Sequence, residues 1–291
     1  MESNKAKCLV CRNESAAFFV RKNGWDLYKC QKCGLIFVFP VPIEHEELCR
    51  KECPPEMKDE INGQSENAVW EATEETFSRY LEILESFKPK KGSLFDVGAA
   101  TGVFIEMAKK RGWDASGIEL LSHNEAVGEK QRQARIAQGN FEEYREGEES
   151  FDAIAFWDVL EHFVHPELAV KNAGRMLKSG GILAINTPDA SSFPAKLMGK
   201  RWHLLVPPSH LHCFNKKNAK IFLERYGFEL IYVGRVGKKF SLRNIFKVLA
   251  IWQKLRLWEK IYSYLLRSRL GGVKISINTR DNQFIIARKR S

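Results

Sequence analysis

No run of 18 apolar residues occurs in the chain, so no transmembrane helix is expected. The start, Met1-Glu2-Ser3-Asn4-Lys5, lacks the apolar core of a secretion signal. Together these absences give a cytoplasmic expectation. Cysteine is sparse, seven in 291 residues, and in that compartment such thiols point to metal or free cysteine before disulfides. Acidic residues are scarce in one place. Between residues 238 and 269, Lys238, Lys239, Arg243, Lys247, Lys254, Arg256, Lys260, Arg267 and Arg269 are opposed only by Glu259. That segment's net +8 supplies most of the chain's formal +10, so the basic balance belongs to one local surface. With 44% hydrophobic and 28% charged residues, the remainder suits one large α/β domain with a small appendage.

Four cysteines are paired. Cys8-x2-Cys11 is followed after 18 residues by Cys30-x2-Cys33-Gly34, the spacing of a four-cysteine zinc site. Each C-x2-C is a tight knuckle that aims two thiolates at one tetrahedral metal. Four thiolates leave no open coordination position, so Cys8, Cys11, Cys30 and Cys33 predict a structural zinc. Ala16 to Val20 and Trp25 to Tyr28 read as short strands between the knuckles, and residues 1–42 form a zinc ribbon too small to fold without its metal. Cys49, Cys53 and Cys213 lack the paired spacing and read as ordinary thiols. Residues 43–89 form a linker and helical cap. Val41 to Gln64 is rich in Pro and Glu, and Glu66 to Phe87 has helical periodicity before Pro89 and Lys90-Lys91-Gly92 stop it.

The most telling stretch is Leu94-Phe95-Asp96-Val97-Gly98-Ala99-Ala100-Thr101-Gly102, with Glu119 closing the next apolar run. It predicts strand, glycine-rich turn, helix, strand and acid. Gly98 and Gly102 let the backbone turn sharply against a ligand, and an acid ending the second strand can take both hydroxyls of a ribose. The G-x-G-x-x-G spacing of a dinucleotide site is missing. Instead a carboxylate stands two residues before the first glycine. It would repel a pyrophosphate and suits a ligand bearing an ammonium group.

This pattern resembles the S-adenosylmethionine (SAM) site of class I methyltransferases, (D/E)-x-G-x-G-x-G, with Ala100 replacing the middle glycine. Phe151 to His162 resembles that family's fourth-strand motif. Leu177-Lys178-Ser179-Gly180-Gly181-Ile182-Leu183 resembles its L-x-P-G-G-x-L segment, and Tyr226-Gly227-Phe228 its G-F before the sixth strand. The resemblance implies that Asp96, Gly98, Ala100, Gly102, Glu119, Asn140, Phe141 and Trp157 bind SAM. Asn140 stands where the family often has Asp. Apolar runs at 94–97, 115–118, 134–137, 151–156, 181–186, 228–233 and 283–287 alternate with helical patterns. The resemblance orders them as a Rossmann-like sheet of six parallel strands and one antiparallel strand near the edge. The expected fold class is therefore α/β. A seven-stranded class I methyltransferase sheet spans residues 90–235 with 273–291, beside a small N-terminal zinc ribbon and a basic amphipathic helical insertion at 236–272.

Two groups are candidate catalytic residues. On a helix, Asp158, Glu161 and His162 would share one face, able to bind a divalent ion or polarise a hydroxyl. A similar acid-x-x-Glu-His arrangement resembles a metal site of quinone-ring O-methyltransferases. The blander reading is that Asp158 caps a helix while Glu161 and His162 hold a loop. Phe193 to Phe214 reads as a substrate lid carrying Arg201, Trp202, His203, His210 and His212. His210 is the preferred general base and His212 the second, against the alternative that a histidine only locks the lid. Leu242, Ile245, Leu249, Trp252, Leu255, Trp258, Tyr262 and Leu265 recur as one helical stripe within the basic segment. Such a stripe lies on an anionic membrane surface, caps the acceptor pocket, docks on another protein, or is a helical pair packed on the domain with a solvated basic face.

The main functional expectation is SAM-dependent methyl transfer to a sugar, glycoconjugate or other small molecule, chiefly as an O-methyl ether, with C-methylation of a nucleotide-linked deoxysugar as the alternative. It is similar to bacterial enzymes of this layout, and implies a cytoplasmic protein with peripheral contact at the inner membrane face through 238–269. The alternatives are an RNA methyltransferase that grips phosphates with ribbon and basic helix, and a non-enzymatic scaffold with a residual cofactor fold. Against RNA, the ribbon has no dense basic and aromatic patch, and no Asn-Pro-Pro-Tyr-like motif is present. A nicotinamide dehydrogenase fits least, because its glycine spacing is absent.

Overall fold

The computed structural model describes residues 6–42, 66–120, 135–253, 255–277 and 280–290. The expected connector at 43–65, with Cys49 and Cys53, lies outside the described residues, as does Ala134. The chain divides into two compact units. One comprises residues 1–52, 81–235 and 280–291, the other 53–80 and 236–279.

The first unit begins with the ribbon. β1 (Ala16–Lys22) and β2 (Trp25–Cys30) pair antiparallel and turn at Asn23 (φ 49°) and Gly24 (φ 81°), the two left-handed residues that a tight hairpin of right-handed twist demands. β3 (Ile36–Val38) pairs with β2. The fourth strand, β9 (His212–Cys213), comes from far along the chain and pairs with β3.

Seven strands form the main sheet. They are β4 (Ser93–Val97), β5 (Asp114–Glu119), β6 (Ile136–Gln138), β7 (Phe151–Trp157), β8 (Leu177–Pro188), β10 (Phe228–Gly234) and β13 (Asn282–Lys289). Their order is β10-β13-β8-β7-β4-β5-β6. The pairings among β8, β7, β4, β5 and β6 are parallel, and β13 runs antiparallel to both β8 and β10. The expected order of six strands one way and one reversed next to the edge is the order found. Both faces of the central strands are covered, which is why β7 reads as the unbroken apolar run Ala153-Ile154-Ala155-Phe156-Trp157, all buried. α1 (Glu66–Phe87) leads into β4, and α2 (Val103–Lys110) connects β4 to β5. α3 (Pro166–Met176) precedes β8, while α4 (Phe193–Met198) and α5 (Lys216–Arg225) lie between β8 and β10. Ribbon residues Val10, Leu35 and Phe37 share one core with Phe156, Ile185, Phe214 and Phe222.

One boundary differs from expectation. The spacing places a glycine break at Gly180-Gly181 before the fifth strand, yet β8 starts at Leu177, directly after α3. Leu177 is already extended, at φ −73° and ψ 138°. Gly180 at φ 70° then absorbs the extra residues, so the β7–β8 register shifts between Phe151↔Leu177 and Ala153↔Ile182.

In the second unit, β11 (Lys238–Ser241) and β12 (Lys274–Ile277) form an antiparallel ladder. Between them stand two helices, α6 (Leu242–Gln253) and α7 (Arg256–Arg267). The stripe is carried by a pair of helices, as the helical-pair reading has it. Leu255 is extended at ψ 125° and breaks it. No Gly or Pro marks the break, and the apolar period runs straight through it. Pairing decides: Phe246 and Trp258 meet across the two helices with ring centroids 5.6 Å apart. No helix among the described residues is long and apolar enough to cross a membrane.

Candidate active site

The glycine turn stands at the carboxyl end of β4. Gly98 (φ 74°) and Gly102 (φ 83°) occupy left-handed backbone, and a Cβ added at Gly98 would meet Val159 at 3.1 Å. Ala100 has φ 44°, a conformation that costs a side-chain-bearing residue about 1 kcal/mol. Glu119 ends β5, and its Oε2 accepts the Ala100 N–H at 2.8 Å, so the acid lies against the turn. Asp96 is buried, and its Oδ1 lacks a hydrogen-bond partner. Burial, with the Glu119 charge second, pushes its carboxyl well above the ordinary range. Such an orphaned acceptor beside a bare glycine turn fits a ligand that brings an ammonium donor, as SAM does. Gly102 leads into α2 without a side-chain cap, so backbone N–H groups at that end suit the cofactor's carboxylate.

The other expected cofactor residues are spread around this turn. Asn140 accepts the Glu142 N–H at 2.9 Å through its side-chain oxygen, shaping the loop after β6. Phe141 is a core ring, between Phe95 at 6.2 Å and Phe156 at 5.7 Å. Trp157 ends β7 stacked on Phe284 at 5.5 Å, with Phe104 edge-on at 5.1 Å.

The acceptor side is assembled from more distant pieces. Residues 158–162 are not one helix. Asp158 sits at φ 53°, and only Leu160–His162 form a 3-10 turn, which Val159 begins without a side-chain cap. Asp158 is tied instead to Asn186 of β8, donating its N–H to the carbonyl at 2.8 Å and accepting from Nδ2 at 2.6 Å. Glu161 is buried and accepts the Thr187 hydroxyl at 2.8 Å. His162 and His210 stand edge to face at 4.8 Å. The ligand atoms of Glu161, His162 and His210 all lie within 4.8 Å of one another. The His162 and His210 Nδ1 atoms lie 2.8 Å from the carbonyls of Ser209 and Leu204, which accept from them. That leaves both Nε2 atoms as the basic nitrogens. His212 lies on β9 of the ribbon sheet, 2% exposed, one residue past Leu211, whose N–H donates to the Glu161 carbonyl at 2.9 Å.

Asn186, Thr187 and Asp281 were not singled out from sequence. Asp281 is buried 2.9 Å from His203 Nε2 on the lid. A polar pair closing the apolar run 181–186, as Asn186 and Thr187 do, was the available signal.

The four ribbon thiols also converge. Their Sγ atoms lie within 4.8 Å of one another, with Cys8–Cys33 at 3.5 Å and Cys11–Cys30 at 3.4 Å. Tetrahedral zinc with four thiolates needs separations of about 3.8 Å, so the donor set fits. The hydrogen bond with Cys33 pulls the Cys8 thiol down to about 5, and the same bond pushes Cys33 up.

Residues 69–233 match a family described as a methyltransferase domain. The chain belongs to this family. The resemblance to class I SAM-dependent methyltransferases holds. Among curated proteins, the ubiquinone biosynthesis O-methyltransferase of Azorhizobium caulinodans is 27% identical over 139 residues, covering 45% of this chain and 55% of that protein. Its counterpart from Alkalilimnicola ehrlichii is 26% identical over 153 residues, covering 50% and 62%. The chain thus spans little more than half the length of these methyltransferase relatives. Among solved structures, Burkholderia thailandensis 1,6-didemethyltoxoflavin-N1-methyltransferase, with bound 1,6-didemethyltoxoflavin and S-adenosylhomocysteine (SAH), aligns with TM-score 0.52 and 14% identity, over 94% of this chain and all of that one. The YcgJ protein of Bacillus subtilis aligns with TM-score 0.51 and 16% identity, over 74% and 99%. Both show a shared fold, and the first of them is a methyltransferase by name.

Proposed function

We propose that the protein transfers the methyl group of SAM to a hydroxyl of a small molecule, with a sugar or glycoconjugate as the favoured class. The observation that carries this is the link from cofactor turn to histidine pair: Gly98 abuts Val159, Val159 opens the turn ending at His162, and His162 stands edge to face with His210. An acceptor oxygen attacks the methyl carbon, the carbon–sulfur electron pair stays on sulfur as SAH leaves, and the hydroxyl proton passes to His210 Nε2. The sulfonium is already reactive, so alignment and water exclusion do most of the work. The curated relatives are named as O-methyltransferases, which supports oxygen as the target. A divalent ion held by Glu161, His162 and His210, whose ligand atoms converge within 4.8 Å, is the competing reading: it would take His210 Nε2 and lower the acceptor's pKa in place of a base. Asp158, held by Asn186, stays outside that set. Cys8, Cys11, Cys30 and Cys33 hold a structural zinc.

An amphiphilic acceptor is favoured by the surface. Phe193, Leu197 and Met198 of α4 are exposed on the lid. On the helix pair, Leu255, Leu257, Tyr264, Leu266 and Leu270 are exposed between Arg256, Lys260, Arg267 and Arg269, suited to an anionic bilayer surface. The protein then works as a peripheral protein of the cytoplasmic membrane face. Methyl-labelled SAM added with the protein to fractionated bacterial extract tests the reading. Label in lipid or saccharide is expected, and His210→Gln lowers it about a hundredfold. Label confined to RNA contradicts it. Vesicles containing phosphatidylglycerol, but not pure phosphatidylcholine, are expected to sediment the protein at low salt.

A further inference from the structure

The ribbon hairpin reaches the acceptor side. Lys22 Nζ donates to the carbonyls of Trp202 at 3.0 Å and Leu205 at 3.1 Å, and Asn23 Nδ2 donates to that of Pro207 at 2.9 Å. These three carbonyls bracket Leu204, whose own carbonyl accepts from His210 Nδ1. Just beyond His210, Val38 donates its N–H to Leu211 O at 2.9 Å, and Leu211 N–H goes to Glu161 O at 2.9 Å. Trp202, Leu205 and Leu211 are buried against Leu27, Ile36 and Val38 of the ribbon. The only regular structure within residues 202–213 is β9, itself a ribbon strand. This segment therefore takes its shape from residues 22–38, nearly two hundred positions away.

We propose that Lys22 and Asn23 are positioning residues for the transfer step: they hold residues 202–207 so that the Leu204 carbonyl locks His210 as its Nδ1–H tautomer, with Nε2 unprotonated. This rests on the reading of His210 as the base. A free imidazole has no such preference imposed on it, and a base whose Nε2 carries the proton cannot accept another. Lys22 is suited to the task because one ammonium donates to two carbonyls at once, and partial burial, which lowers its pKa, leaves few waters to compete.

The test uses the full chain with 15N-labelled histidine, reading the ring nitrogens by long-range correlation, alongside amide exchange and SAH titration. The substitutions are Lys22→Met and Asn23→Asp; aspartate tolerates the left-handed turn while losing the donor. Each is expected to move His210 toward the Nε2–H tautomer, cut exchange protection of residues 202–206 at least tenfold, and leave SAH affinity within twofold. Lys22→Arg restores both signals. An unchanged tautomer and unchanged protection in Lys22→Met would overturn the proposal. Equal loss of SAH binding would overturn it too, by making the lysine a general fold element. Neither readout uses an acceptor, so a wrong base assignment would appear in the turnover of His210→Gln and not here.

Discussion

The two halves of the proposed site, for cofactor and for acceptor, are built on opposite plans. The cofactor side is local: Asp96, Gly98, Ala100, Gly102 and Glu119 lie within 24 consecutive positions, on one strand–turn–helix–strand unit. The acceptor side draws Lys22, Glu161, His162, Thr187 and His210 from four separated stretches. A local site is held by backbone geometry and survives wherever the unit folds. An assembled site depends on whatever holds its pieces, here the ribbon sheet. Perturbations should therefore separate the two sides.

Removing the proposed zinc is the largest expected effect. Cys30→Ser, or chelation of the full chain, should abolish binding of one zinc per chain and strip exchange protection from residues 16–38 and 202–213 together. Protection lost in the ribbon but kept at 202–213 would break the link between ribbon and lid. Next comes Glu119→Ala. Loss of a charged acceptor for two ribose hydroxyls should weaken SAH binding by about 1.5–3 kcal/mol while leaving His210 in its tautomer. Unchanged affinity would remove Glu119 from the cofactor side.

The same contrast appears in the strength with which sequence announced each side. Gly98, Gly102 and the acid at Glu119 were legible because the backbone itself demands those residue types at fixed offsets. The seven-strand order followed from the resemblance, and the paired cysteines from knuckle geometry. His210 was legible as a candidate, but its partners were not. Leu204 contributes only a carbonyl, and Lys22 reads as any surface lysine. A helical pair was legible as an alternative, but the place of the break between α6 and α7 was not: tertiary pairing of Phe246 with Trp258, not a local breaker, sets it.

Smaller effects sharpen the picture. Asp152 holds the start of β4 through the Ser93 N–H, with Lys178 and Lys88 beside it. Burial opposes its charge, yet those partners hold its carboxyl well below the usual range. Its stabilisation is present above the unfolded carboxylate pKa and is lost as pH falls below it. Asp152→Asn should cost about 1–3 kcal/mol at neutral pH and much less near pH 2, read by urea unfolding. An equal cost at both pH values would mean that the ion pairs contribute nothing. At the small end, Ala100→Gly relieves left-handed strain but frees the unfolded chain, for a net gain below about 1 kcal/mol and unchanged cofactor affinity. A net loss would show that the methyl group at position 100 makes a contact of its own.

Titration of SAH into the full chain across pH tests the central claim most directly. Asp96 is raised by burial, so in the free protein its proton is retained above the usual carboxylate range and must leave when an ammonium ligand binds. The expected result is one site per chain whose affinity falls as pH is lowered through the Asp96 transition. Asp96→Asn should flatten that dependence and stabilise the free protein at neutral pH. No binding at any pH, with the wild-type fold intact, would contradict the account and leave the chain a methyltransferase fold without its cofactor.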